Sequence, residues 1–271
     1  MNMEELIVLG TGNAAVTRCY NTCFALRCGA EYLLVDAGGG NGILSILEQQ
    51  DIPLKHIHHI FVTHAHSDHI LGVPWLIRMI GTRINQGKYE GDLTIYCHRE
   101  LEEAIRTITS LTVQAKVCRH FGSRIRFQIV ENGDVLDILG SRFLFLDIRS
   151  TKAKQTGFLC TTPSGLRIAF PGDEPCPDFL REHFRNADWL FHEAFCLYEE
   201  RGKFKPYEKH HSTVRDACEL AEAIGIKNLL LWHTEDKHIR HRKKRYLAEG
   251  SPFFSGNLFV PDDGERFSLR K

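Results

Sequence analysis

Thr63-His64-Ala65-His66-Ser67-Asp68-His69 sets three imidazoles and a carboxylate within six residues, directly behind the apolar strand-like run Ile57 to Thr63. Divalent metals such as zinc bind neutral imidazole nitrogen and carboxylate oxygen at about 2.0–2.2 Å, so one turn carrying this set can face one or two ions. A polar surface loop has no need of such density. The end of a strand is also where α/β proteins build their sites.

Working outward, Leu6 to Leu9 and Glu31 to Asp36 read as short strands delivered into the glycine turns Gly10-Thr11-Gly12-Asn13 and Asp36-Ala37-Gly38-Gly39-Gly40. Ile43 to Gln50 has helical spacing and is closed off by Pro53, and Leu71 to Ile80 reads as an apolar helix beginning near Pro74. A turn over Gly81 to Gly91 then leads to the strand Leu93 to Cys97 and the helix Glu100 to Val113. From Ile125 the pattern becomes a run of short strands: Ile125 to Val130, Val135 to Ile138, Phe143 to Ile148, Gly157 to Thr161 and Leu166 to Pro171. Helical stretches follow at Asp178 to His183 and Thr213 to Gly225, with strands at Trp189 to His192 and Asn228 to His233. Two sheets packed together under helices on both outer faces is the simplest α/β arrangement, although periodicity alone also allows one doubly wound sheet. No linker or low-complexity stretch interrupts residues 1–271, which read as one domain.

With Lys+Arg 34 against Asp+Glu 34, no global charge draws this chain to nucleic acid or acidic membranes, so any polyanion must be gripped locally. No apolar run approaches the ~20 residues of a membrane span and no signal peptide precedes the first strand, which points to a cytoplasmic protein without membrane contact. The 9 cysteines are scattered without CxxC pairs and read as reduced, mostly buried thiols. The local basic run is Lys237-His238-Ile239-Arg240-His241-Arg242-Lys243-Lys244-Arg245, which reads as a solvated helix face or as a track for a nucleic-acid backbone.

His64-x-His66-x-Asp68-His69 resembles the HxHxDH signature of the metallo-β-lactamase-fold hydrolases. Leu9-Gly10-Thr11-Gly12-Asn13, Asp36-Ala37-Gly38, Gly172-Asp173, His192-Glu193-Ala194 and His211-Ser212-Thr213 extend the similarity, over roughly residues 6 to 261, to the ribonuclease Z branch. The resemblance implies the four-layer αββα sandwich, with a metal centre of one or two zinc ions, or manganese, at the sheet edge. It makes His64 and His66 ligands of a first ion, Asp68 and His69 ligands of a second, Asp173 the bridging carboxylate and His233 the last histidine ligand. It further implies that Asp68 orients a metal-acidified water and accepts its proton, and that His211, partnered by Glu193, stabilises the phosphoryl transition state or protonates the leaving oxygen. Ser212 and Thr213 join as substrate-binding candidates, with Ser212 also a candidate cap for the helix that follows.

One ligand of the pattern is missing. The family histidine that follows Phe143 to Ile148 falls at Arg149, which stays protonated and cannot ligate. The first position then keeps His64, His66 and shared Asp173, while the second keeps Asp68, His69, Asp173 and His233. Asp147 is a candidate substitute ligand or a partner for Arg149, and Arg149 itself a candidate bidentate clamp for a substrate phosphate.

The leading expectation is a metal-dependent phosphodiesterase similar to ribonuclease Z. The tRNA-processing members carry a long basic arm between the third histidine and the bridging aspartate, whereas here Ser150 to Gly172 is short and already contains two strands. A smaller substrate, such as a cyclic phosphate, therefore gains weight over tRNA 3′ processing. Other expectations are a glyoxalase II-like thioester or lactone hydrolase, and a non-catalytic nucleic-acid-binding member with an altered centre. The branch also implies a homodimer, though no residue demands one.

Overall fold

The first half of the chain builds β1 (Glu5–Gly10), β2 (Cys23–Cys28), β3 (Glu31–Val35), β4 (Ile57–Phe61), β5 (Leu93–Cys97) and β6 (Ile125–Ile129). The second half builds β7 (Val135–Ile138), β8 (Ser141–Asp147), β9 (Thr156–Thr161), β10 (Arg167–Phe170), β11 (Trp189–Glu193), β12 (Asn228–Trp232), β13 (Asn257–Phe259) and β14 (Arg266–Ser268). In this computed structural model, which describes residues 3–269, they form two seven-stranded sheets, β14-β1-β2-β3-β4-β5-β6 and β13-β12-β11-β10-β9-β8-β7. Each sheet is antiparallel on one side and parallel on the other: β3 to β6 run parallel, as do β10 to β13.

The helices are α1 (Gly42–Gln49), α2 (Ser67–Ile70), α3 (Val73–Asn85), α4 (Arg99–Thr112) and α5 (Ala115–Cys118) in the first half, and α6 (Asp178–Phe184), α7 (Arg201–Phe204), α8 (Val214–Ala223) and α9 (Arg242–Gly250) in the second. Side-chain alternation divides the interior into three cores. In β2, Phe24 and Leu26 point between the sheets while Cys23 and Ala25 meet the first helix layer. In β12, Leu230 and Trp232 point between the sheets while Leu229 and Leu231 meet α6, α8 and α9. Because both faces are covered, these strands read as unbroken apolar runs instead of alternating ones. Phe24 stacks on Trp232 at 4.8 Å and packs edge-on against Phe170 at 5.2 Å, tying the two sheets together through the middle. This is the αββα sandwich, and the single doubly wound sheet is excluded.

Three sequence expectations change. Ile125–Ile129 does not open the second sheet but pairs with β5 at the edge of the first, so the second sheet begins at Val135. Gly81 does not start a turn: it lies inside α3, where an added Cβ would come within 2.5 Å of Val117 in α5, so the glycine permits close packing of the two helices. The strand Cys23–Cys28 carried no turn signal before it and was not anticipated from the residues.

Candidate metal centre

Parallel strands deliver their C-terminal ends to one edge of a sheet, and both parallel halves meet at the same rim. Asp36 follows β3, His64 follows β4, Asp173 follows β10, Glu193 ends β11 and His233 follows β12. Asp36 and His233 hold left-handed backbone, φ 58° and 53°, a conformation found at functional turns because the surrounding structure enforces it. The 66–72 segment is locked onto the Asp36 turn: Ala37 N donates to His69 O at 3.1 Å and Gly72 N to Gly38 O at 2.9 Å. A Cβ on Gly72 would lie 1.9 Å from Ala37 O, so only glycine allows this approach.

The six expected donors converge. Asp173 Oδ2 lies 3.6 Å from His64 Nε2, 3.4 Å from His69 Nε2 and 3.3 Å from His233 Nε2. Asp68 Oδ2 lies 3.3 Å from His69 Nε2 and 3.5 Å from His233 Nε2, and His66 Nδ1 approaches His64 Nε2 to 2.8 Å. Two triads result, His64/His66/Asp173 and Asp68/His69/His233, with donor atoms mutually within 4.8 Å and Asp173 between them. The Nε2 atoms of His69 and His233 are buried and accept or donate no hydrogen bond. Buried, orphaned nitrogens aimed at carboxylate oxygen are what a divalent cation satisfies, so the residues fit the metal.

The electrostatics of three donors agree, whereas His69, buried against the Asp36 carboxylate, is held well above its ordinary value. Burial alone would push the Asp173 and Asp68 carboxyls up, but the surrounding imidazoles hold both well below the usual range, as anions. Burial holds His64 well below its ordinary value, as the neutral imidazole a ligand must be. Asp36, which was seen in the sequence only as part of a turn, orients two ligands. Its Oδ2 lies 2.8 Å from His69 Nδ1 and accepts from Thr63 Oγ1 at 2.8 Å, while Thr63 Oγ1 in turn lies 2.9 Å from His64 Nδ1. The other nitrogen of each ring is thereby directed at the metal position.

The region of the missing histidine is rebuilt. Arg149 does not reach the donors: its guanidinium lies over the Phe179 ring, 4.4 Å from the centroid, so the expected clamp beside the metals is not formed. Asp147 is no substitute ligand, since its Oδ1 accepts the backbone N–H of Arg149 at 2.7 Å, and it pairs with the main chain rather than the guanidinium. The buried amide of Gln155 occupies the inner position, with Nε2 donating to Asp173 Oδ1 and lying 3.2 Å from His64 Nδ1. No motif flags Gln155 in the sequence.

His211 enters the same cavity, about 420 Å³, together with Asn13, Lys152, Phe195 and Lys209. Its Nδ1 is 3.6 Å from Glu193 Oε2, and its ring stacks on Phe195 at 4.9 Å with planes 7° apart. Burial pulls the His211 pKa down, but the neighbouring Glu193 carboxylate outweighs it and the value is raised. Ser212 N donates to Glu193 Oε1. Thr213 is corrected from substrate contact to helix cap: fully buried, its hydroxyl and Asp216 form the capping box of α8, and this residue rather than Ser212 is the N-cap.

The basic run is largely consumed by the fold. Arg242 is 1% exposed and donates to Thr11 Oγ1, Thr234 Oγ1 and Pro261 O; Lys243 pairs with Glu265, and Arg245 with Glu199 and Glu200. Only Lys237, Arg240 and Lys244 project as exposed basic chains, too few for a continuous backbone track. All nine cysteines are free thiols, and no helix among the described residues is long and apolar enough to cross a membrane.

Fold and donor set together define a metal-dependent, phosphodiesterase-type hydrolase of the metallo-β-lactamase fold, similar to ribonuclease Z. Ribonuclease Z of Pyrococcus abyssi is 29% identical, with 99% of this chain and 97% of the relative covered. Among solved structures, YhfI of Bacillus subtilis, a metallo-β-lactamase fold protein, superposes with a TM-score of 0.79 at 20% identity, covering 98% of this chain and 99% of the other. The short form of human tRNase Z superposes at 0.72 and 22% identity, covering 98% and 100%. The family model described as Anti-Pycsar protein Apyc1 matches residues 4–249, and the chain belongs to that family.

Proposed function

We propose that this protein hydrolyses small phosphodiesters, cyclic phosphates included, with zinc or manganese held by His64, His66, Asp68, His69, Asp173 and His233. The observation that carries this reading is that His211, backed by Glu193 and Phe195, opens into the same cavity as four of the six donors, His66, Asp68, Asp173 and His233. Held by these donors, divalent ions would supply an acidified water and neutralise charge on a phosphoryl group. Asp68, with Oδ2 facing the shared position, orients the attacking water and accepts its proton. Glu193 raises the His211 pKa and so favours the protonated ring, whose free nitrogen gives its proton to the departing ester oxygen. Lys152 and Lys209 line the cavity and hold a phosphate oxygen by charge.

A small substrate is favoured over tRNA because residues 156–170 are taken up by β9 and β10, which pair with each other inside the second sheet and project no arm. The test is turnover by metal-loaded protein of bis-p-nitrophenyl phosphate and a cyclic phosphodiester, beside a precursor tRNA. Hydrolysis of the small esters without 3′ cleavage of the tRNA is expected. Efficient tRNA cleavage overturns the substrate assignment, and loss of all turnover with metal bound overturns the hydrolase.

A further inference from the structure

The two oxygens of Asp173 keep different company. The Nε2 atoms of His64, His69 and His233 lie 3.6, 3.4 and 3.3 Å from Oδ2, whereas Oδ1 accepts from Nε2 of Gln155. The last torsion of an aspartate is broad and roughly two-fold, so a carboxylate left to itself turns and exchanges its oxygens. Gln155 is placed to stop this one. It is buried, and the chain is pinned on both sides of its side chain: Gln155 O accepts from Ile148 N at 3.1 Å, and Thr156 N donates to Thr63 O at 3.1 Å, next to His64. The amide lies against Gly172, whose φ is 106° and where an added Cβ would come within 2.7 Å of Gln155 Nε2 and 2.9 Å of its Cδ. The glycine before Asp173 thus leaves the space through which residue 155 reaches the carboxylate.

His64 does not compete for the amide hydrogens. Thr63 Oγ1 donates to Asp36 Oδ2, so toward His64 Nδ1, 2.9 Å away, it accepts, and the ring proton sits on Nδ1. Gln155 Nε2, 3.2 Å from that nitrogen, faces a second donor there, which leaves Asp173 as its acceptor. The amide is also neutral, so it fixes the carboxylate without cancelling its charge, as an arginine or lysine in its place would do. We propose that Gln155 is a positioning residue of the metal centre: its amide reserves Oδ1 of Asp173 and presents Oδ2 alone to the shared position. This rests on Asp173 as the shared ligand in the proposed function and adds the residue that makes it face both metal positions through one atom.

The test measures zinc affinity of the wild type, Gln155→Met and Gln155→Asn by competition with a chromophoric chelator. Methionine keeps the length and removes the donor, while asparagine keeps the amide but ends one methylene short and covers the case in which the thioether does not pack. Each variant should bind zinc about 10- to 100-fold more weakly than the wild type. At saturating cobalt(II), the visible bands of both variants should shift or weaken, because the freed carboxylate offers its second oxygen to the ion; a role confined to holding the fold leaves the ligand field as it was. Zinc affinity unchanged in either folded variant, or a cobalt spectrum unchanged in both, overturns the assignment. A wild type that binds no zinc overturns the metal reading itself, an outcome separate from zinc binding that is insensitive to residue 155.

Discussion

Oδ2 of Asp36 lies 2.8 Å from Nδ1 of His69, joining the left-handed turn after β3 to a ligand on α2. The same oxygen accepts from Thr63 Oγ1 at 2.8 Å, so one carboxylate sets the ring orientation of His69 directly and of His64 through Thr63. Asparagine tolerates left-handed backbone and keeps the shape, but it loses the charge and one acceptor. Asp36→Asn is expected to fold and to lower zinc affinity about 10- to 100-fold, read by competition with a chromophoric chelator.

The donor count predicts two unequal metal positions, because Arg149 supplies no donor to the first. His64, His66 and Asp173 offer three protein donors there, against four from Asp68, His69, Asp173 and His233 at the second. Graded chelation should therefore remove metal in two stages, monitored by plasma mass spectrometry. His66→Ala should eliminate the weaker class and His233→Ala the tighter one. A single class holding two ions per chain contradicts the asymmetry.

His211→Ala is expected to lower kcat about 10²- to 10⁴-fold while metal content stays at the wild-type level. Glu193 raises the His211 pKa, so Glu193→Gln should let the imidazole lose its proton at lower pH. The alkaline limb of the pH–rate profile should then move toward acid. An unmoved limb would separate Glu193 from this role.

Arg242 is buried with its guanidinium on two threonine hydroxyls and a carbonyl oxygen. Arg242→Met leaves those acceptors without a donor and should cost about 2–4 kcal/mol in urea denaturation. Exposed Lys244→Ala should change stability by less than about 0.5 kcal/mol. The contrast distinguishes a structural from a binding role within one basic run.

Burial, reinforced by the charge of His58, lowers the His59 pKa to about 4, and Nδ1 lies 3.0 Å from Tyr96 Oη. The folded chain thus keeps His59 neutral while the unfolded chain takes up a proton below its ordinary value near 6.5. The contribution is present above pH 6.5 and is lost as pH falls toward 4. His59→Gln should flatten the dependence of the urea midpoint over that window.

The candidate donors His64, His66, Asp68 and His69 were legible from local chemistry because they stand within one turn, whereas Asp173 and His233, behind apolar strands, were implied by the family resemblance. Most of the strands, β2, β13 and β14 excepted, were legible as apolar runs because burial on both faces removes polar residues from them. What no local pattern carries is the company each residue keeps across the fold. Gln155 reaches Asp173, Phe195 stacks on His211, and Arg242 reaches Thr11, 231 positions away, only after two sheets have brought their strand ends to one rim. Arg149 shows the division most plainly. Its identity alone excludes it as a ligand, since a guanidinium has no lone pair to give, whereas the left-handed turn and the Phe179 ring decide where its charge goes. Composition and spacing specify which chemistry a chain can perform; the backbone path, set by packing between distant strands, determines which side chains meet to perform it.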